Sequence, residues 1–288
     1  MNKIDFSNLF IADNFKTIKF YGNLELNGTI SIPNGTLEQS YIGQIENSIN
    51  NSNFFELKKS ISTLPEIKKI KTIEDYIGCN KIKNNFKDSL FSFSKPTTII
   101  DYESFGYVNN EIKGNAILYS KDSIIISKNA KLEHVLIYAP IIRIESEFIG
   151  IIQAFATNKI ICEKNVSLNY PSILAITKNN DENGEITIAK NCKVFGGILL
   201  TAYQSNTNLT LTIEDSKIGG IIYNEGKSCL SGQYYGSIIS FEMFKVINGS
   251  IFTNYISGFK LIDKIPEGFC FPILLKKNKL NFLSCIHW

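Results

Sequence analysis

Three segments of the chain repeat one pattern, and this repetition constrains the fold more than any other feature of the sequence. The segments are "SIIISKNAKLEHVLIY" (123–138), "KIICEKNVSLNYPSIL" (159–174) and "EITIAKNCKVFGGILL" (185–200). Each segment has apolar residues at alternate positions, then a Lys-Asn pair, then a second apolar run. Because alternation with a period of two is typical of a strand with one buried face, each segment predicts strands joined by a turn.

Aligning the segments on their Lys-Asn pairs predicts which side chains share the interior. The aligned positions before the pair, with the shorter repeat "LTIEDSKIGGII" included, predict one ladder of Ile126, Cys162, Ile188 and Ile213, with Ile144 between the first two. Apolar residues after the turns recur every 16 to 26 residues, at Leu132, Phe148, Leu168, Val194, Ile218 and Tyr234. Asn129, Asn165 and Asn191 fall at one corner, where Asn tolerates left-handed backbone angles.

Two folds are consistent with short apolar strands at this spacing. An antiparallel sandwich or barrel needs hairpin turns, but it does not need the same turn sequence at the same position of every repeat. A parallel β-solenoid needs that recurrence, because each coil lies on the previous one. The sequence therefore favours an all-β fold with a short helical insertion, a single-stranded parallel β-helix (β-solenoid) with irregular coils of 16–26 residues.

The repeat pattern divides the chain into four parts of one continuous domain. We predict N-terminal β coils over 1–45, an irregular or helical insertion over 46–112, the main solenoid over 113–254, and a C-terminal cap over 255–288. The cap is expected because a solenoid leaves an apolar end that must be covered.

One segment of the insertion has a helical pattern. In "STLPEIKKIKTIEDYIG", Thr63 is a candidate N-cap, and Pro65 and Glu66 stand in the first turn. Apolar residues then recur on one helical face. The pattern predicts a helix over 64–77.

Composition excludes several classes of partner. The net charge is +3, and Arg143 is the only arginine, so direct reading of nucleic acid is not expected. The sequence contains no apolar run long enough to span a membrane. Six cysteines form no CxxC pair, and we expect free, mostly buried thiols, although a disulfide framework stays open; they are Cys79, Cys162, Cys192, Cys229, Cys270 and Cys285.

With the repeats established, the chain resembles a set of bacterial envelope β-solenoid proteins that carry an N-terminal membrane anchor and are found near pilin-like genes. The likeness rests on "YGNLELNGTISIP" (21–33), "STLPEI" (62–67), "IGIIQAFA" (149–156), "LNYPSILAI" (168–176) and "GQYYGSI" (232–238). Bactofilins, which polymerise through solenoid ends, are a more distant likeness. The resemblance implies a structural role at the cell envelope, without known catalysis. The sequence departs from this set because it lacks the anchor segment, which would lie upstream of Met1. An extracytoplasmic envelope location is favoured, and a cytoplasmic one stays open.

Candidate chemical groups in the sequence do not converge on one reaction. Glu133 and His134 are adjacent, and adjacent strand residues point to opposite faces. Asp181, Glu182 and Asn183 offer oxygen ligands for Ca²⁺ but lack further acidic partners, so a solvated loop is the simpler interpretation. The remaining carboxylates show no pairing of the kind glycoside hydrolysis needs; they are Glu74, Asp75, Asp101 and Glu103.

Two hypotheses for function follow. The first is a non-enzymatic structural or interaction protein of the bacterial cell envelope, with protein partners or self-association and no catalytic, cofactor or metal site. The second is a carbohydrate-binding or carbohydrate-cleaving β-helix, in which exposed aromatic rings stack on sugars. Its candidate residues are Tyr138, Tyr170, Tyr203 and Tyr235.

Overall fold

Nearly all regular structure in the chain is β-strand. The computed structural model describes residues 8–41, 48–49, 55–67, 70–84, 89–178, 183–202 and 208–262. The strands, numbered in chain order, are β1 (Leu9–Ile11), β2 (Ile18–Phe20), β3 (Asn23–Leu24), β4 (Gly28–Ile32), β5 (Leu37–Gln39), β6 (Ser48–Ile49), β7 (Phe55–Lys59), β8 (Asn80–Lys83), β9 (Ser89–Phe91), β10 (Thr98–Asp101), β11 (Phe105–Val108), β12 (Glu111–Gly114), β13 (Ala116–Tyr119), β14 (Ser123–Ile126), β15 (Lys131–Ile144), β16 (Ile149–Cys162), β17 (Ser167–Lys178), β18 (Gly184–Ile188), β19 (Lys193–Ala202), β20 (Leu209–Ile247), β21 (Ser250–Thr253), β22 (Tyr255–Ile256) and β23 (Phe259–Ile262). Two 3₁₀ turns complete the described elements, at Pro33–Gly35 and Ile73–Tyr76.

The strands stack in parallel into three faces, so the chain is a β-solenoid. The exception is β21, which pairs antiparallel with the end of β20 in a hairpin. Face 1 contains β8, β10, β13, 136–138 of β15, 153–156 of β16, 173–176 of β17, 197–200 of β19, 221–224 and 238–240 of β20, β1, β4 and β7. Face 2 contains β11, β14, 141–144 of β15, 159–162 of β16, β18, 209–213 of β20, β22, β2 and β5. Face 3 contains β9, β12, 131–133 of β15, the first residues of β16, β17 and β19, 217–218 and 232–235 of β20, β23, β3 and β6.

The interior ladder expected from the sequence is confirmed. Ile126 pairs with Ile144, Ile144 with Cys162, Cys162 with Ile188, and Ile188 with Ile213. All five side chains are buried. Their shared burial explains why the segments look alike: each side chain packs on its equivalent in the next coil.

The predicted asparagine corner is confirmed in part. Asn165 and Asn191 have φ angles of 63° and 62°, in the left-handed region. Asn129 does not adopt such an angle, and its N–H donates to the Ser127 hydroxyl at 3.3 Å. Glu147 takes the equivalent place in the intervening coil, with φ 71°.

The order of the coils in space differs from their order along the chain. Leu9–Ile11 lies between 238–240 on one side and β4 on the other. One interior ladder on face 1 therefore runs through Ile82, Ile100, Leu118, Ile137, Ala154, Leu174, Ile198, Ile222, Ile238, Leu9, Ile30 and Leu57. The N-terminal coils, residues 8–59, thus follow the C-terminal coils and form the far end of the stack.

Residues 60–79, here called the strap, must return the chain from β7 at one end to β8 at the other. With about 4.8 Å between neighbouring strands, the two ends are roughly 50 Å apart. The strap reaches roughly 65–70 Å when extended. A helix over 64–77 would shorten its reach to about 40 Å, because a helix rises only about 1.5 Å per residue.

The helix predicted over 64–77 is accordingly wrong in extent, and the described part of the strap contains only the 3₁₀ turn Ile73–Tyr76. Thr63 is not its cap. Thr72 caps it instead, with the Thr72 N–H donating to the Asp75 carboxylate at 2.8 Å. The local helical pattern was overruled by the distance that the segment has to cover.

The predicted boundaries also need adjustment. Solenoid strands begin at Asn80–Lys83, inside the segment 46–112 that was expected to be an insertion. Of the predicted cap, 263–288 lies outside the described residues, while β22 and β23 continue the parallel stack. The coil that they complete is covered by the N-terminal coils, which bury the apolar cross-section that a cap would have covered.

Candidate functional site

Three of the carboxylates considered from the sequence serve as local structural partners, and the fourth, Glu74, lines a cavity where the strap reaches β8. Asp101 accepts a hydrogen bond from the Glu103 N–H at 2.9 Å and pairs with Lys81 at 2.7 Å. Burial raises the pKa of Asp101, but the hydrogen bonds from Lys81 and the Glu103 backbone outweigh it and hold the pKa below its usual value. Glu103 pairs with Lys83 at 3.0 Å. Asp75 caps the 3₁₀ turn.

Similar ion pairs follow the outer faces from coil to coil. Arg143 pairs with Glu163, which also accepts hydrogen bonds from the Ser146 hydroxyl and N–H. Burial raises the pKa of Glu163, yet Arg143 and Ser146 together hold it below its usual value. These contacts tie neighbouring coils together, and the described residues contain no group of three or more potential metal ligands.

Glu133 and His134 do not face opposite sides of the sheet as expected. A register shift between Glu133 and Val135 leaves both side chains exposed, and His134 has φ 58°. They nevertheless have different partners. Glu133 pairs with Lys113 at 3.2 Å, and the His134 ring lies 6.4 Å from the ring of Phe93.

Other candidates lie only partly within the described residues. Asp181 and Glu182 of the loop considered for Ca²⁺ lie outside them, and Asn183 directly precedes β18. The described cysteines are free thiols: Cys162 and Cys192 are buried, while Cys79 and Cys229 are half-buried. Burial raises the pKa of the Cys162 thiol well above its ordinary value, which keeps it protonated and unreactive.

The four tyrosines proposed for sugar stacking do not share one surface. Tyr138 lies on face 1, only 6% exposed and stacked on Phe155 at 4.8 Å between ring centroids. Tyr235 is half-buried on face 3, with its hydroxyl 3.1 Å from Gln233. Tyr170 is half-buried and Tyr203 lies outside the described residues.

Face 1 carries a second apolar layer on its outside, and the strap covers it. Ile70 of the strap is buried against Ala175, Leu199, Ile221, Tyr223 and Ile239, with Leu64 and Ile67 packed beside it. Ile73 and Tyr76 pack against a further cluster of Ile99, Ile117 and Tyr138. Face 1 is therefore buried on both sides, and the strap acts as a cover along the stack.

Two tyrosine hydroxyls fasten this cover. The Tyr223 hydroxyl lies 2.8 Å from the Pro65 carbonyl oxygen and 3.1 Å from Glu225 Oε1. The Tyr138 hydroxyl donates to the Lys71 carbonyl oxygen at 3.3 Å. Each contact satisfies a backbone carbonyl that the extended strap cannot pair within itself.

A cavity of about 300 Å³ lies where the strap reaches β8. Its lining residues are Ile73, Glu74, Tyr76, Ile77, Cys79, Lys81, Ile99 and Tyr119. The Lys81 ammonium is held by Asp101 and lies 5.4 Å from the Tyr119 ring centroid. The cavity is therefore mainly apolar, with its cation already paired.

Face 2 carries an exposed apolar surface near its β11 end, here called the face 2 patch. Its exposed members are Phe105 (56%), Tyr107 (46%) and Ile141 (41%), and Ile125 and Ile161 are half-buried beside them. The register places Phe105, Ser123 and Ile141 in one column, and Tyr107, Ile125, Arg143 and Ile161 in the next. Sequence reasoning missed this patch, although the unbroken run "SIII" in β14 places Ile125 outward.

The fold and these surfaces define a parallel β-solenoid with a strap across one face and an exposed patch on another. Comparison with protein-family models, with curated proteins and with solved structures finds no match. Within the described part of the chain, none of the helices has the length and apolar character to cross a membrane.

Two tyrosine hydroxyls, one bonded to the strap and one without a partner among the described residues, predict opposite outcomes on substitution by phenylalanine. Tyr223→Phe is expected to lower the free energy of unfolding by about 0.5–1.5 kcal/mol, because it removes the hydroxyl that pairs Pro65. Tyr102→Phe should be neutral or stabilising, since the buried Tyr102 hydroxyl has no hydrogen-bond partner among the described residues. Denaturant unfolding followed by circular dichroism measures both, and equal losses would contradict the assigned strap contact.

Buried tyrosines also predict a loss of stability at alkaline pH. Burial raises the pKa of Tyr102 to about 12, whereas an unfolded tyrosine ionises near pH 10. The folded state keeps the proton longer, so the contribution of Tyr102 to the free energy of unfolding is fully present below about pH 10 and is lost as the pH rises to about 12. Tyr102→Phe should make this fall less steep, and an unchanged pH profile would count against the buried hydroxyl.

Proposed function

We propose that this protein is a non-enzymatic structural or interaction protein of the bacterial cell envelope, which presents the face 2 patch to a protein partner. The face 2 patch is the observation that carries the proposal. Its exposed rings stand on β11 and Ile141 stands on β15, with half-buried Ile125 of β14 between them, in a stack held by parallel backbone hydrogen bonds. Contiguous exposed apolar surface next to charged residues is typical of interaction sites.

Charge around the patch supports a protein partner. Arg143 lies within it and pairs with Glu163, and Lys159 pairs with Glu185 at 2.8 Å on the next coils. An apolar centre with a charged, solvated edge is the usual anatomy of a protein interface. Support for the envelope comes from the likeness of segments such as "YGNLELNGTISIP" and "GQYYGSI" to envelope solenoid proteins.

The carbohydrate alternative has less support. Its rings need to be exposed and to lie along one groove, and Tyr138 is instead covered by the strap. Tyr235 lies on a different face of the solenoid. Phe105 and Tyr107 are the exposed rings of the face 2 patch, so sugar binding through them is one outcome that the following experiment can detect.

A photo-cross-linking experiment in the cells that express the protein tests the proposal. A photoreactive residue at Ile141 should give cross-links to envelope proteins, whereas one at Thr212, on the same face outside the patch, should not. Ile141→Asp should abolish the association of the protein with the isolated envelope fraction. Recovery in the cytosolic fraction, with cross-links that do not depend on position, would overturn the proposal, and cross-linking to glycan alone would favour the carbohydrate alternative.

A further inference from the structure

One joint in the stack connects parts of the chain that are far apart in sequence. The N-terminal coils lie on a coil made by residues 236–262, here called the acceptor coil. Across this joint the Asn14 and Asn254 side-chain amides, 240 residues apart, exchange hydrogen bonds of 2.9 and 3.2 Å. Every other coil of the main solenoid instead receives the segment that follows it in the chain.

The joint is formed on all three faces. On face 1 the Ala12 N–H donates to the Ser240 carbonyl at 3.1 Å. On face 2 the Lys19 N–H donates to the Asn254 carbonyl at 2.8 Å. On face 3 the Leu261 N–H donates to the Glu25 carbonyl at 2.8 Å, and Glu25 pairs with Lys260.

The joint also buries a continuous interior. Leu9 and Ile18 of the N-terminal coils are 0% exposed, and Ile238 and Ile256 of the acceptor coil are 1% exposed. The backbone bonds and the apolar contacts are those of any two consecutive coils. Nothing in their geometry requires that both sides belong to the same molecule.

We propose that the acceptor coil also receives the N-terminal coils of a second copy of this chain, so that the protein self-assembles by exchange of these coils. The strap is the only covalent link between the N-terminal coils and the rest of the solenoid. When it detaches from face 1, the coils it carries can dock on a neighbour through the same hydrogen bonds. Reciprocal exchange closes as a dimer, and one-way exchange continues as a chain of molecules.

The strap sets the balance between the two forms. Its reach of roughly 65–70 Å exceeds the roughly 50 Å it must cover, so docking within one molecule is favoured by the high effective concentration of tethered coils. Exchange is therefore expected when many chains fold close together, or when the strap cannot span the stack. The inference goes beyond the proposed envelope role and does not depend on it, because it concerns only how copies of this chain join.

A shortened strap tests the inference. Deleting residues 61–70 leaves a reach of roughly 35 Å, too short for docking within one molecule. The variant should double its mass, or form larger assemblies, in size-exclusion chromatography with light scattering. Replacing the same ten residues with glycine and serine keeps the reach and should give a monomer. A deletion variant that stays monomeric, with its N-terminal coils open to protease, would overturn the proposal.

A second measurement uses the full-length chain, so that a deletion variant that fails to fold does not decide the question. Chains carrying only Glu25→Cys are mixed with chains carrying only Lys260→Cys, unfolded and refolded together at high concentration, and oxidised. A disulfide-linked dimer should form in the mixture and not with either variant alone. With both substitutions in one chain at low concentration, the product should be a cross-linked monomer. Formation of only this monomer, at every concentration, would refute exchange.

Discussion

Replacing Ile188 with aspartate is expected to unfold the solenoid. Ile188 is 0% exposed and lies between Cys162 and Ile213 in the interior ladder of face 2. A carboxylate there has no hydrogen-bonding partner among these apolar neighbours, so it must either stay charged at a high cost or take up a proton. The expected loss is roughly 4 kcal/mol or more, a large part of the stability of an ordinary domain.

Two further variants separate the charge from the lost volume. Ile188→Ala should cost about 2–5 kcal/mol through the cavity it leaves. Ile141→Asp makes the same chemical change at a side chain on the outside of face 2 that is 41% exposed, and should melt close to the parent. Thermal unfolding followed by circular dichroism compares the three proteins. If the two aspartate variants, Ile188→Asp and Ile141→Asp, have the same melting temperature, the assignment of Ile188 to the interior side of β18 is wrong.

The sequence could predict this interior because the inward residues recur at a fixed distance from a recurring turn. Ile126, Cys162 and Ile188 stand at the same distance from a Lys-Asn pair, and parallel stacking then leaves one arrangement of these strands. The same reasoning cannot order the coils. The strands that contain Leu9 and Ile30 alternate between inward and outward residues as the other strands do. No local feature of the sequence shows that the Leu9 strand stacks next to Ile238, instead of forming the first coil of the stack.

The helix prediction failed for a related reason. The pattern around Thr63 and Pro65 is a local signal, whereas the need to span the stack is a property of the whole molecule. Once the N-terminal coils lie at the far end, the connecting segment has to be extended.

Part of the candidate site was nonetheless open to sequence reasoning. In "GGIIYN" the apolar Ile221 and Tyr223 alternate with the interior Ile222, so both sides of this strand are apolar. Strands buried on both faces give near-continuous apolar runs of this kind. The run predicts a cover over face 1, but not which segment supplies it. The face 2 patch differs, since its residues come from separate coils and meet only through the register.

Gly220 gives the second large effect, because two independent constraints require glycine there. Its φ of +112° is a backbone conformation that other residues rarely adopt. A Cβ added to it would lie 2.0 Å from the Gly196 carbonyl oxygen in the neighbouring coil. Gly220→Ala therefore strains the backbone, at about 1–3 kcal/mol, and also forces the coils apart at Gly196.

We expect Gly220→Ala to cost about 3 kcal/mol or more in free energy of unfolding, since the displaced contact is backbone and not a flexible side chain. Gly197→Ala is the matched control. A Cβ at Gly197 meets Ile221 and Ile173 at 3.8 and 3.9 Å, which is ordinary contact. That variant should match the parent or gain about 0.4–1 kcal/mol, because alanine restricts the unfolded chain. Urea unfolding compares the stability of the two variants. Equal stability would mean that the coils do not approach each other closely at Gly196, Gly220 and Gly236, which stack in one column. The register of β19 on β20 would then be incorrect.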